Sequence, residues 1–265
     1  MFTTTRSMFQ LATVVVALVA NACAARGVRP VESAVGRVSC VGGVVQSAAD
    51  AALYGHCDRV NGDLRVSAPE LSDLSALASL RSVSGKLEIA GNSSLVDLAG
   101  LASLEQVGSL SIHDNPELDS LSGLAKLHET ASVTISDNPE LGSLRGLEGL
   151  TRVGTLVLEH NGLYQTVGLS NLTEVGDLVI DGNAKLNGLQ GLGALSHARS
   201  VEIANNPRLC ARGMLPALAH VDHRLRLNRN RAITAPEVRQ LMGRIEHGFS
   251  RPGGDSVASL EASFH

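Results

Sequence analysis

The sequence predicts a right-handed β-solenoid of about eight coils of 23 residues, closed at both ends by short helices. Three observations predict it. An apolar-x-apolar pair recurs at Leu64-x-Val66, Leu87-x-Ile89, Leu110-x-Ile112, Val133-x-Ile135, Leu156-x-Leu158, Leu178-x-Ile180, Val201-x-Ile203 and Leu225-x-Leu227, with starts 23, 23, 23, 23, 22, 23 and 24 residues apart. An Asn follows three positions later in seven of the eight units, as Asn92, Asn115, Asn138, Asn161, Asn183, Asn206 and Asn230. Leucines then return every three residues, as at Leu118, Leu121, Leu124 and Leu127. A fixed period between 20 and 50 residues marks stacked supersecondary units, none of which buries its apolar face alone.

Each unit reads as strand, turn and apolar return. In Leu110-Ser111-Ile112 the alternation is that of a half-buried strand. His113-Asp114-Asn115-Pro116 is a turn. The Gly in Gly100-Leu101, Gly123-Leu124, Gly146-Leu147, Gly168-Leu169 and Gly191-Leu192 argues for a non-helical or single-turn return, because an interior Gly costs a helix about 0.5–1 kcal/mol relative to Ala. Eight strands stacked about 4.8 Å apart give a rod roughly 38 Å long. The Asn column faces inward at the strand exit, where a side-chain amide serves both a free C=O and a free N–H, so these seven residues read as a structural ladder.

Units such as Val107-Gly108-Ser109-Leu110-Ser111-Ile112-x-Asp114-Asn115-Pro116-x-Leu118-x-x-Leu121-x-Gly123-Leu124 resemble the receptor L-domain family. These are leucine-rich-repeat-like solenoids found in insulin- and epidermal-growth-factor-type receptors. The short unit Val153-x-x-Leu156-x-Leu158-x-x-Asn161-x-Leu163 is the leucine-rich-repeat pattern without insertion, and Val60-Asn61-Gly62-Asp63-Leu64-Arg65-Val66 after Cys57 also matches. The chain looks closest to bacterial cell-envelope members, including lipoproteins, and the resemblance covers about residues 40–247. It implies the fold and a binding role. It implies no particular ligand, since the motif residues are core and turn residues.

Residues 1–22 read as a secretory signal, with Arg6 as its only charge and an apolar run from Leu11 to Ala20 too short to span a bilayer. Ala20-Asn21-Ala22-Cys23 allows two cuts: a lipobox with Cys23 lipidated, or an ordinary signal-peptidase site after Ala20-x-Ala22. With no Asp after Cys23, the lipoprotein reading implies the outer membrane, facing the periplasm or the cell surface; otherwise the chain is periplasmic or secreted. Residues 23–36 are then a flexible tether, 37–247 the solenoid with its caps, and 248–265, rich in Ser and Gly, a disordered tail.

Export permits disulfides. Cys40 and Cys57 flank an amphipathic stretch from Val44 to Tyr54 that reads as a short helix, and a bridge between them would fix it as a lid. Receptor L-domains carry a similar N-terminal bridge. Cys210 has no obvious partner and reads as a small buried apolar residue. Thr234-Ala235-Pro236-Glu237 is a capping box, and Val238, Leu241, Met242 and Ile245 continue an amphipathic helix to about His247, the far lid.

Composition excludes several classes. The formal net charge is −4 with no basic stripe, which argues against nucleic acid. Aromatic residues make up 2% of the chain, too few for a tight carbohydrate platform. No nucleophile elbow, phosphate loop or cofactor motif is present, so a β-solenoid polysaccharide-active enzyme is a minor alternative and no cofactor is expected. The outward strand positions are where a solenoid would bind a partner, though ordinary β-formers on a solvated face would read the same way. The central coils present Ser109, Ser111, Ser132, Thr134, Ser136, Thr155, Val157 and Val179, with charges such as Arg65, Glu88, Glu202 and Arg226 toward the ends. This field is the candidate surface for a protein or a surface polymer; a structural or self-associating envelope spacer is the alternative.

Two polar clusters offer metal chemistry. Asp114, Asp137, Glu117 and Glu140 stack one coil apart and could hold Ca²⁺, though Asp-Asn-Pro-Glu is also good turn chemistry. His220-x-Asp222-His223 lacks a third convergent ligand.

Overall fold

The computed structural model describes residues 31–32, 38–210, 214–246 and 259–263. The signal segment, Cys23 and most of the tether and tail lie outside these residues. One eleven-stranded sheet runs in strict chain order. Its strands are β1 (Val31–Glu32), β2 (Val38–Val45), β3 (Arg59–Val66), β4 (Ser82–Ala90), β5 (Gln106–His113), β6 (Ser132–Ser136), β7 (Arg152–Glu159), β8 (Glu174–Asp181), β9 (His197–Ala204), β10 (His220–Asn228) and β11 (Ser259–Ser263). Every pairing from β2 to β11 is parallel, and from β3 to β10 it joins residues one coil apart, such as Leu110 to Val133 and Val133 to Leu156. This is the expected β-solenoid.

Three features differ from the sequence reading. Val44 and Val45 belong to β2 rather than to a helix, so a coil precedes Leu64, and the first helix, α1, spans only Ala48–Leu53. Ser47 sets that start: its hydroxyl accepts from the Asp50 N–H and donates to the Asp50 carboxylate. β1 pairs antiparallel with β2 inside the expected tether. In the expected disordered tail, Ser259–Ser263 forms a strand whose backbone pairs in parallel with β10, Leu260 opposite Leu225 and Ala262 opposite Leu227.

The core is a stack of columns. Leu64, Leu87, Leu110, Val133, Leu156, Leu178, Val201 and Leu225 are all buried, as are the second strand residues from Val66 to Leu227. The return paths contain single 3₁₀ turns at Ser75–Leu77, Ala99–Leu101, Ser122–Leu124 and Gln190–Leu192, which aim Leu77, Leu101, Leu124 and Leu192 inward. The Asn column lies beside this core. The Asn138 Oδ1 accepts from the Asn115 N–H at 3.2 Å and the Asn115 side-chain amide at 3.1 Å, while its Nδ2 donates to the Ile112 and Ser136 carbonyls at 3.2 and 2.8 Å. The same exchange links Asn92, Asn115, Asn161, Asn183, Asn206 and Asn230.

Both ends are covered. Cys40 and Cys57 are bridged, tying α1 over the first coil with Tyr54 buried beneath it. At the far end α2 (Ala235–Glu246) buries Val238, Leu241 and Ile245. Its start is held by the Thr234 N–H and hydroxyl, both donating to Glu237 Oε2 at 2.9 and 2.8 Å. Among the described residues no helix is long and apolar enough to cross a membrane.

Candidate binding face

Past the register shifts at Val41/Gly43, Val83/Lys86 and Val221/Arg224, the parallel pairing turns the outward residues into rows. The first row runs Lys86, Ser109, Ser132, Thr155, Asp177, Ser200, Arg224. The middle row runs Val44, Arg65, Glu88, Ser111, Thr134, Val157, Val179, Glu202, Arg226. Ser136 follows His113 in the third row and precedes Glu159. Most of the central residues are half-buried by their neighbours along the row. Ser111 departs from the sequence reading: it stands on the middle row but is only 6% exposed. A short side chain between two longer row neighbours presents little surface, so the open part of the field is Thr134, Val157 and Val179.

A charged network closes the field toward the N-terminal end. Glu88 takes Lys86 Nζ at 3.3 Å and His113 Nε2 at 3.1 Å on one oxygen and Arg65 Nη1 at 3.3 Å on the other. His113 Nδ1 lies 2.8 Å from Asp114 Oδ2. Only the imidazolium donates from both nitrogens. Burial works against the His113 charge, but the hydrogen bonds to Asp114 and Glu88 outweigh it and raise the pKa above the ordinary imidazole value. The His113 hydrogen bond overcomes burial and, with Lys86, holds the Glu88 carboxyl below the usual carboxylate range.

Toward the other end the first row carries an ion pair between Asp177 and Arg199, which lowers the Asp177 pKa. The field here adjoins an open cavity of about 440 Å³. Arg152, Glu174 and His197 form one wall; Gly154 and Gly176 leave the floor bare. At both glycines the preceding coil comes close: a Cβ on Gly154 would stand 2.7 Å from the Ala131 carbonyl oxygen, and one on Gly176 would overlap the Gly154 oxygen. Arg152 pairs with Glu174 at 3.0 Å and His197 with Asp222 at 3.0 Å. The sequence reading did not single out this groove. Aligning the repeats on Val153, Val175 and Ala198 puts Arg152, Glu174 and His197 in one column, which is the signal that could have found it.

The stacked acids have a turn role. Asp114, Asp137 and His160 adopt φ of 56°, 55° and 52°, and Gly91 and Gly182 fill the equivalent positions of neighbouring coils. That left-handed position favours Gly, Asn and Asp. Asp114, Asp137, Glu117 and Glu140 form no group of three whose ligand atoms lie within 4.8 Å of one another, and neither do His220, Asp222 and His223; among the described residues the only such group is Cys40, His56 and Cys57. Cys210 is a free, exposed thiol, not the buried residue expected. It lies in the outward row of the return path, where its N–H donates to the Asn187 carbonyl, and that row faces water.

The receptor L domain family model matches residues 56–217. The chain belongs to the receptor L domain family. Members are ligand-binding, non-enzymatic modules. No curated protein and no solved structure matches the chain.

Proposed function

We propose that this receptor L domain is an exported recognition module that binds a protein partner through the outward face of its central coils, around Thr134, Val157 and Val179. The observation that supports this most directly is the contrast along the middle row. An uncharged stretch from Ser111 to Val179 lies between a Glu88-centred network and the Glu202–Arg226 pair, whose side chains are 3.9 Å apart. Uncharged surface rimmed by charge is the layout of a recognition patch, with a centre that desolvates readily and a polar edge that steers and registers the partner. The adjoining groove extends the same face.

Export is supported by the Cys40–Cys57 bridge and the family. Lipidation of Cys23 would then hold the module on the outer membrane. Loss of radioactive palmitate labelling in Cys23→Ser is the expected outcome, and equal labelling of both chains would remove the anchor. Binding is tested by affinity capture from envelope extract of the source cell, comparing the wild-type chain with Thr134→Arg/Val157→Arg. A protein captured only by the wild type supports the reading, and unchanged capture by the variant rules out this face. Capture of a polysaccharide would move the ligand to a surface polymer, and capture of the chain itself alone would favour a spacer.

A further inference from the structure

We propose that two copies of this chain associate antiparallel along the turn edge of the solenoid, about a two-fold axis at the 22-residue coil, with Glu117 and Glu140 of each copy facing Arg208 and Lys185 of the other. The contact lies beside the strand face and does not depend on what that face binds. Elsewhere in the rod, charges on neighbouring coils are matched by opposite sign. Arg65–Glu88, Arg81–Glu105, Arg152–Glu174, Asp177–Arg199 and Glu202–Arg226 are all ion pairs from one coil to the next. The turn edge is built the other way. The residue before the first return leucine is Glu117 and Glu140 ahead of the 22-residue coil, and Lys185 and Arg208 behind it. The short coil lacks the position, and Lys185 leans across the gap to donate to the Pro139 carbonyl at 3.4 Å. The left-handed turn column keeps the same order: Asp114 and Asp137 precede His160, and Arg229 follows it. Glu117, Glu140, Arg208 and Arg229 are exposed, and among the described residues none of them, nor Lys185, joins an ion pair.

Like charges stacked about 4.8 Å apart repel, so this order is unfavourable in an isolated rod. Laying a second ridge against the first in the opposite direction turns both repulsive blocks into attractive ones, because the sign changes once, at the short coil. A two-fold axis there sets Glu140 opposite Lys185 and Glu117 opposite Arg208, each contact made twice. The axis falls beside Tyr164, which is 52% exposed and has Lys185 Nζ 5.7 Å from its ring centroid. Tyr and Arg are the residue types that most often anchor interfaces. Tyr164 stands on the row Val96, Asp119, Gly142, Tyr164, Asn187, Cys210, formed by the residues that follow the same leucines. Under the same axis Asp119 faces Cys210 of the second copy, whereas the two Cys210 thiols lie four coils apart, about 19 Å.

The test uses the full chain carrying Cys23→Ser, in which Cys210 is the one free thiol. Sedimentation equilibrium is expected to show a dimer at about 0.05 M salt whose affinity falls about tenfold or more at about 0.5 M. Glu117→Lys/Glu140→Lys and Lys185→Glu/Arg208→Glu should each be monomeric at low salt, and an equimolar mixture of the two should form a heterodimer. That rescue separates a lost contact from a lost fold. With Asp119→Cys added to the parent chain, oxidised glutathione should link the copies between the new thiol and Cys210, as read by peptide mapping. A parent chain monomeric at low salt, dimers of either charge-reversed variant alone, or a mixture that stays monomeric would overturn the proposal. A link between two Cys210 thiols would overturn the antiparallel register. Thr134→Arg/Val157→Arg should dimerise like the parent; loss of the dimer there would move the contact to the strand face and refute the turn edge.

Discussion

The inner Asn column and the outer middle row lie on the same turns of chain, yet one repeats a single residue and the other mixes charged, hydroxyl and apolar ones. Asn92 through Asn230 are seven copies of one side chain, each with buried atoms bonded to the backbone of the coil before it. The outer row passes through Arg65, Glu88, Ser111, Thr134, Val157, Val179, Glu202 and Arg226 with no such backbone role. An inward position is fixed by donors and acceptors that every neighbouring coil supplies in the same place. An outward position answers only to water and to a partner. The variation along the outer row is therefore where recognition is written.

The sharpest way to break the inner side is at the backbone. Gly168 has φ +117°, and a Cβ there would overlap the Leu144 carbonyl of the coil before. Gly168→Ala combines a disfavoured dihedral with a clash against unyielding backbone, and a loss of more than about 3 kcal/mol is expected in a urea melt. A loss near zero would mean the coils slide apart freely. Asn138→Ala comes next. It leaves the Asn115 N–H and the Ile112 carbonyl without their side-chain partner, and an equilibrium loss of about 1–3 kcal/mol is expected. A neutral result would show that the column is decorative.

The outer side gives smaller effects that depend on pH. The raised pKa of His113 means its stabilisation is complete below the ordinary imidazole value of 6.5 and fades as pH rises through the folded value. The lowered pKa of Glu88 means its contribution is complete above 4.5 and fades as pH falls through the folded value. Both are present together between those two limits. His113→Ala is expected to cost under about 1 kcal/mol, because Lys86, Arg65 and Asp114 are partly solvated. The melting-temperature gap to wild type should be widest near about pH 5.5 and shrink by about pH 9. A gap independent of pH would take His113 out of the network.

The same contrast explains what the sequence made legible. The 23-residue period was enough for the solenoid because a repeated inward pattern has one efficient solution, stacking. It missed the coil at Val38–Val45 because Cys40-Val41-Gly42-Gly43 lacks the Leu-x-Ile pair and the closing Asn, and because Val44 and Val45 sit next to a true helix start at Ser47. The outward rows could be assigned by counting, but not their exposure. Ser111 is shielded by row neighbours 23 residues away on each side, a fact of packing that no local pattern carries. Cys210 misled for the opposite reason: a residue type usually buried stands on the return path's outer row. The groove stayed hidden because its walls come from three coils and its floor from residues with no side chain.

The smallest stability effect is expected where the effect on binding is largest. Thr134 and Val157 are adjacent on the middle row, both half-buried, and neither side chain makes a hydrogen bond or ion pair on which the fold depends. Arginine at both positions can extend its guanidinium into water while its stem lies along the row. The Thr134→Arg/Val157→Arg chain should melt within about 0.5 kcal/mol of wild type in urea. Two new cations in the uncharged field would meet a partner surface built to lose water there, and burying an unpaired charge defeats association even when the remaining contacts fit. Intact folding with lost capture would place recognition on the outer row and leave the inner column a purely structural role. A variant that unfolds would instead show that the outer row shares the structural work, and the division between the two sides of the sheet would have to be abandoned.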